Sequence, residues 1–143
     1  MEDKIQDYTV FLEVLDLITN GVCITNDKGT ILYVNQAFCD ACKYDREELI
    51  GNNPRVLKSN MHKDSFYAKM WNMITNGQMW RDTIINKTKD GELYTDRLLI
   101  APIQSKENKL YFACTRYNID ETDRLMEKLE QIVVKLQSHF EDD

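Results

Sequence analysis

The chain of 143 residues is poor in the residues that break or cross-link structure: two prolines, five glycines and four cysteines. That scarcity excludes collagen-like, low-complexity and disulfide-scaffold classes, whose compositions depend on those residues. Long apolar runs are also missing. None approaches the ~18 residues that a membrane span requires, and the opening Met1-Glu2-Asp3-Lys4 is acidic where a secretory signal would be basic. A cytoplasmic location is therefore expected. Basic charge is in deficit, 18 Lys and Arg against 24 Asp and Glu, and the net charge of −6 repels a polyphosphate rather than attracting it. Nucleic acid is not an expected partner. With only His62 and His139, the chain offers no Ser-His-Asp arrangement, and it contains no Gly-rich phosphate loop, so an enzyme is not expected.

What is present is enough for one domain with a real core: 43% of the residues are hydrophobic and 29% charged. Residues 5–18 carry apolar or aromatic side chains around most of a helix circumference, which predicts a helix needing cover on more than one side. The β-branched runs Val22–Thr25 and Thr30–Val34 flank Asn26-Asp27-Lys28-Gly29, a hairpin signal. Gln36–Cys42 reads as a short helix. A second starts at Asp45, its N-cap, with Glu48 three residues on, and stops at Gly51. Ser65–Asn76 places Phe66, Met70, Met73 and Ile74 at helical spacing, with Asp64 as a cap and Gly77 as the stop. Strands are then expected at Trp80–Lys87, Glu92–Pro102 and Leu110–Asn118, the first two joined by the turn Thr88-Lys89-Asp90-Gly91. From Glu121 to Phe140 there is no Gly or Pro, and Leu125, Leu129, Ile132 and Leu136 follow heptad spacing. The expected class is α+β: a five-stranded antiparallel sheet with its helices on one face, flanked by N-terminal and C-terminal helices.

Several motifs, in order, carry a resemblance. They are Ile24-Thr25-Asn26-Asp27-Lys28-Gly29-Thr30-Ile31-Leu32-Tyr33-Val34-Asn35-Gln36-Ala37-Phe38, then Tyr44-Asp45-Arg46-Glu47-Glu48-Leu49-Ile50-Gly51-Asn52-Asn53-Pro54-Arg55. Trp80, Asn86-Lys87-Thr88-Lys89-Asp90-Gly91-Glu92-Leu93-Tyr94 and Ala101-Pro102-Ile103 follow. Together they resemble the PAS sensor family over Thr9 to Leu129. The resemblance implies an N-terminal dimerisation helix over residues 1–20, a PAS core over 21–119 and a coiled-coil-like signalling helix over 120–143. Asn118-Ile119-Asp120 stands where the family usually ends its last strand with Asp-Ile-Thr.

The family shares a fold while differing in ligand, so function rests on the pocket residues. In its blue-light branch a Gly-x-Asn-Cys-Arg motif supplies the cysteine that bonds to flavin. Here it reads Gly51-Asn52-Asn53-Pro54-Arg55, and proline offers no nucleophile. Non-covalent flavin binding stays open. Asn86, Asp96 and Arg116 fall where flavin-binding relatives read the ring edge, with Asp96 and Arg116 replacing the amides of light sensors. Asn53 and Arg55 fall where those relatives hold the flavin tail. Trp80 resembles a tryptophan of PAS domains that hold FAD as a redox sensor. Haem-binding relatives place an axial histidine on the long helix, whereas His62 precedes it. Cys39 and Cys42, three apart on a helix, suit either core packing or redox or metal chemistry. Cys23 and Cys114 are expected to be buried on neighbouring strands.

The resulting expectation is a sensory homodimer that passes a signal to an absent output domain, such as a histidine kinase, a cyclic-dinucleotide enzyme or a chemoreceptor. FAD is the candidate cofactor. The alternatives are a ligand-free interaction scaffold whose pocket is filled by Phe38, Met70 and Trp80, or a thiol-based redox protein using Cys39 and Cys42.

Overall fold

A computed structural model describes residues 10, 12–117 and 131–137. The expectations for residues 1–9, for Leu125 and Leu129, for Asn118-Ile119-Asp120 and for His139 lie outside them. Helix α1 (12–17) leads into strand β1 (Val22–Asn26) and β2 (Ile31–Val34). Helices α2 (Gln36–Cys42) and α3 (Arg46–Leu49), a 3-10 turn (Pro54–Leu57) and helix α4 (Asp64–Thr75) follow. Strands β3 (Trp80–Lys87), β4 (Leu93–Gln104) and β5 (Leu110–Tyr117) complete the core, and helix α5 spans 131–137.

The sheet is wholly antiparallel, in the order β2-β1-β5-β4-β3, so the first and last hairpins meet at β1 and β5. Its inner face packs on α2 and α4. Ile74 of α4 meets Trp80, Ile84, Leu98, Ile100 and Phe112, while Phe38, Cys39 and Cys42 of α2 meet Cys23, Ile31 and Val34. Burial of these side chains is the main source of stability, about 25 cal/mol per Å² of apolar surface removed from water.

Local chemistry explains the boundaries. The backbone N–H of Asp45 donates to the Glu48 carboxylate at 3.0 Å, half of a capping box that starts α3. Gly51 and Gly77, at φ +87° and +81°, stop α3 and α4 in a conformation that β-carbons resist. Helix α4 starts one residue earlier than its spacing suggested: Lys63 occupies the N-cap, and Asp64 lies in the first turn, where a negative charge complements the helix dipole. The turn Pro54–Leu57 has no apolar period by which the sequence would show it. Asn53 caps it, its side-chain oxygen accepting from the Arg55 N–H at 3.0 Å.

Helix α1 attaches to the core through polar groups. The Asp16 carboxylate accepts from the Arg46 guanidinium at 2.7 Å, the Tyr33 hydroxyl at 3.1 Å and the Gln36 N–H at 3.1 Å. Burial, and then the bond to Asp16, pushes the Tyr33 phenol up to about 12. The Asn35 amide donates to the carbonyls of Leu15 and Asn20, while its oxygen accepts from the N–H groups of Val22 and Phe38. With its polar edge turned inward, α1 presents Val14 and Leu17 to solvent, Leu17 at 82% exposure, and Val10 and Ile18 on either side of it are exposed as well. Ile132 and Leu136, the two heptad positions within α5, are exposed as well, while Gln137 donates to the Pro102 carbonyl at 3.1 Å. Among the described residues no helix is long and apolar enough to cross a membrane.

Candidate functional site

Between α4, the 3-10 turn and the inner face of the sheet lies a cavity of about 330 Å³. That is the small end of the ~300–1,000 Å³ range typical of ligand pockets. Its body is apolar. Helix α4 contributes Tyr67, Met70, Trp71 and Ile74, an i, i+3, i+4, i+7 face, and the sheet contributes Ile84, Leu98, Ile100 and Phe112. Trp71 meets Phe112 edge-on at 5.7 Å between ring centroids, which fixes the gap between helix and sheet. Gly29, at φ +82°, lets this wall close: a β-carbon there would lie 2.6 Å from Asn53 Nδ2 and 3.0 Å from the Trp71 ring.

On the sheet floor, alternation along three neighbouring strands places Asn86, Tyr94, Asp96 and Arg116 on one face. Asp96 is 4% exposed and forms an ion pair with the Arg116 guanidinium. The Asn86 amide hydrogen-bonds the same carboxylate, and the guanidinium lies over the Tyr94 ring, 5.4 Å from its centroid. Burial raises the Asp96 carboxyl above its ordinary value, against the opposing pull of Arg116 and Asn86. Burial likewise drives the Tyr94 phenol far up, so it remains neutral. The buried Nε of Arg116 has no hydrogen-bond partner among the described residues. This is a paired, hydrogen-bonded charge cluster able to meet a polar ligand edge and to exchange a proton at Asp96.

Asn53, Pro54, Arg55 and Lys58 line another part of the wall, where Arg55 and Lys58 are solvent-exposed cations. The six candidate residues are thus distributed unequally. Asn53, Arg55, Asn86 and Asp96 line the cavity, and Arg116 reaches its floor through Asp96. Trp80 is not among the lining residues: it is 3% exposed and packs edge-on to Phe66 at 5.5 Å. Of the side chains expected to fill the pocket, Phe38 and Met70 form its wall instead. The α4 stripe picked out by spacing, Phe66, Met70 and Ile74, missed Tyr67 and Trp71. The rotated face at Tyr67, Met70, Trp71 and Ile74 carried the signal.

His62 precedes α4. Its Nε2 accepts the Ile85 N–H at 2.9 Å and its ring stacks on Phe66, so that nitrogen is already engaged in closing the β3 edge. All four cysteines are free thiols. Cys42 is fully buried and its thiol faces the Cys39 carbonyl at 3.7 Å, while burial raises both thiols, which disfavours the reactive thiolate. Cys23 and Cys114 are directly opposite on β1 and β5 and line the cavity; burial pushes Cys114 up to about 12. Among the described residues no group of three or more His, Cys, Asp or Glu is placed to hold a metal ion.

Comparison with known proteins agrees with this architecture. Residues 19–121 match the family model described as PAS domain. A nitrogen fixation regulatory protein of Klebsiella oxytoca is 30% identical over 109 residues, which cover 75% of this chain and 22% of that protein. A blue-light photoreceptor of Listeria monocytogenes is 26% identical over 133 residues, 91% of this chain and 53% of that protein. The chain thus spans about a fifth of the length of the nitrogen fixation regulator. Among solved structures, the blue-light activated histidine kinase EL346 of Erythrobacter litoralis superimposes with a TM-score of 0.70 at 22% identity, over 87% of this chain and 42% of that one. The LOV domain of the same kinase gives 0.64 at 24% identity, over 71% of this chain and 97% of that domain. At these identities the structural likeness speaks for the fold alone.

Proposed function

The chain belongs to the PAS domain family, and from that premise we propose that it is a sensory module which holds a flavin, FAD in the first instance, and reports its redox state to an output domain. The observation that carries the reading is the polar pair Asn86 and Asp96 in the floor of a largely apolar slot, with Arg116 and Tyr94 behind them. The slot suits a flat heteroaromatic body. At 330 Å³ it encloses the ring portion, leaving a charged tail to leave past Asn53, Arg55 and Lys58. When bound, a flavin supplies reversible electron transfer coupled to protonation at its ring. Pro54 on the wall has no thiol for the covalent photochemistry of the blue-light branch.

The residues of the chain do the rest. Asn86 and Asp96 orient the ring edge, and Asp96 is the carboxyl poised to hold or release a proton there. Arg116 keeps that carboxylate in place, and its backbone N–H donates to the Gly21 carbonyl at 2.8 Å. Its stem passes so close to Gly21 that a β-carbon there would lie 3.0 Å from Arg116 Cδ. Gly21 joins α1 to the sheet, and Arg116 sits near the end of the last strand. A change in the Asp96–Arg116 pair therefore bears on both terminal helices, and biases their arrangement only so far as the ligand states differ in affinity for each.

The test is reconstitution of the 143-residue chain with FAD, followed by absorption spectroscopy after desalting. A retained flavin spectrum is the expected result. A featureless spectrum would favour the ligand-free scaffold instead.

We place residues 1–20 and 120–143 as dimerising and signalling helices around a core of 21–119. The support is the reversed polarity of α1, whose polar edge faces its own core while Val14 and Leu17 face solvent. The doubly substituted Val14→Glu/Leu17→Glu chain is expected to be monomeric by light scattering at micromolar concentration, with the parent dimeric and both cooperatively folded. A parent that is itself monomeric would dismiss this interface. The output domain is proposed to be a separate signalling unit in a longer protein, of the kind found in the histidine kinase relatives, and the cytoplasm is its proposed location.

A further inference from the structure

The four cysteines of the chain gather in one part of the fold: Cys23, Cys39 and Cys42 share a core cluster, and Cys114 packs against it. Spacing along the chain singles out Cys39 and Cys42, whereas the strand register singles out another pair. Cys23 on β1 and Cys114 on β5 are directly opposite, so their side chains leave the ladder on the same face. Two residues further along, the Arg116 N–H donates to the Gly21 carbonyl. By alternation Cys23 and Cys114 are then also a hydrogen-bonded pair, with α-carbons about 5.5 Å apart, inside the ~4.4–6.8 Å that a disulfide spans. Of the other three thiols, Cys114 is the one whose nearness weighs most on Cys23. The Cys42 thiol, by contrast, is turned to the Cys39 carbonyl. Access is one-sided. Cys114 is half-buried on the cavity lining, while Cys23 is 1% exposed and needs no path from solvent, because its reaction partner is the neighbouring sulfur.

We propose that Cys23 and Cys114 are a reversible modification site, at which a small two-electron oxidant entering the cavity, of the class of hydrogen peroxide, converts the two thiols to a cross-strand disulfide. The Cys114 sulfur attacks one peroxide oxygen, the O–O bond breaks, and one water leaves as the sulfenic acid forms. The Cys23 sulfur then attacks the Cys114 sulfur, the S–O bond breaks, and a second water leaves with the remaining thiol proton. Two thiols and one peroxide thus give one disulfide and two waters, the sulfurs losing the two electrons that the peroxide gains. Thiolate is the attacking form, and burial holds both thiols up, Cys114 at about 12, so the step is slower at neutral than at alkaline pH. The bond closes a loop of roughly 90 residues. It fastens the first hairpin to the last, two residues from the Gly21–Arg116 contact that leads to the terminal helices. The site answers to an oxidant whatever the cavity holds, and does not rest on the flavin reading.

The test treats the reduced 143-residue chain with hydrogen peroxide at pH 8.5 and maps the product by peptide mass spectrometry. A monomeric chain lighter by two hydrogens, with a peptide joining Cys23 to Cys114 that dithiothreitol separates, is the expected result. The oxidised chain should melt about 10 °C higher than the reduced one, because the unfolded chain is restrained. The Cys39→Ala/Cys42→Ala variant is expected to form the same bond, and Cys114→Ala to form none. Mapping in the parent decides the matter by itself where a variant fails to fold. A bond between Cys39 and Cys42, a bond between two chains, or unpaired thiols that proceed to sulfinic acid would overturn the inference.

Discussion

Substituting Asn35 by alanine is expected to lower stability by about 3–4 kcal/mol and the melting temperature by about 10 °C, among the largest effects of any single polar replacement in the core. Asn35 is completely buried, and its one side chain serves four backbone groups. Its oxygen accepts from Val22 N–H at 2.8 Å and Phe38 N–H at 3.1 Å; its amide donates to Leu15 and Asn20 carbonyls at 3.0 and 2.9 Å. Alanine leaves all four without that partner, and also removes the N-cap of α2. Each buried group left unmatched costs more than a hydrogen bond gains, because the desolvation penalty then stands alone. Urea denaturation of parent and variant measures the loss. A change below ~1 kcal/mol would mean that water replaces the side chain at this junction. The variant Asn35→Asp separates the two roles, since it keeps the acceptor for β1 and α2 but loses the donor that ties down the end of α1.

The second large effect concerns the cavity floor. Arg116→Gln should destabilise the protein by about 3 kcal/mol at neutral pH, because it leaves the Asp96 carboxylate buried without its cation. The sign with pH is definite. Asp96 already titrates above its ordinary value, since burial outweighs Arg116 and Asn86. A carboxyl whose pKa is higher in the folded than in the unfolded chain favours folding fully below the unfolded value, and that contribution is lost as pH rises through the folded value. Removing Arg116 raises the folded value further. The deficit of the variant relative to the parent is thus largest at neutral pH and shrinks as acid protonates Asp96. Denaturation curves at pH 7 and pH 5 read this directly, and a deficit independent of pH would assign Arg116 a packing role on Gly21 alone. The double variant Asp96→Asn/Arg116→Gln removes both charges and puts an amide in the place of each. It should recover most of the loss, because replacing a buried ion pair as a unit is far milder than breaking it.

Both results bear on signalling. Asn35 fastens the end of α1 to the head of α2 and the start of β1, and Arg116 connects the cavity floor to Gly21, between α1 and β1. One residue is a fixed rivet and the other a charge that answers to its surroundings. If the proposed sensor works through α1, weakening Asn35 uncouples the helix from the core, whereas neutralising Asp96 and Arg116 together leaves the helix attached and alters only what reaches it.

The elements themselves were legible without coordinates because they depend on local chemistry. Period-2 runs gave Trp80–Lys87 to the residue, helical spacing and a stopping glycine gave α4 to within one, and Asp45 with Glu48 announced the start of α3. Motif order then carried the family, and with it the antiparallel pairing of β1 with β5, which no local signal contains. Asn53, Arg55, Asn86 and Asp96 could be placed on the cavity wall for the same reason. What the chain alone left undecided were matters of distance between elements far apart in sequence. The rotation of α4 about its axis, which aims Tyr67 and Trp71 rather than Phe66 into the cavity, is settled by packing against β3 and β4. So is the inward burial of Trp80 against Phe66, and so is the meeting of Asp96 with Arg116 across two strands. Spacing along a helix or strand says which residues share a face; only the tertiary contacts decide which face looks at the cavity, and which polar tips there are left without a partner.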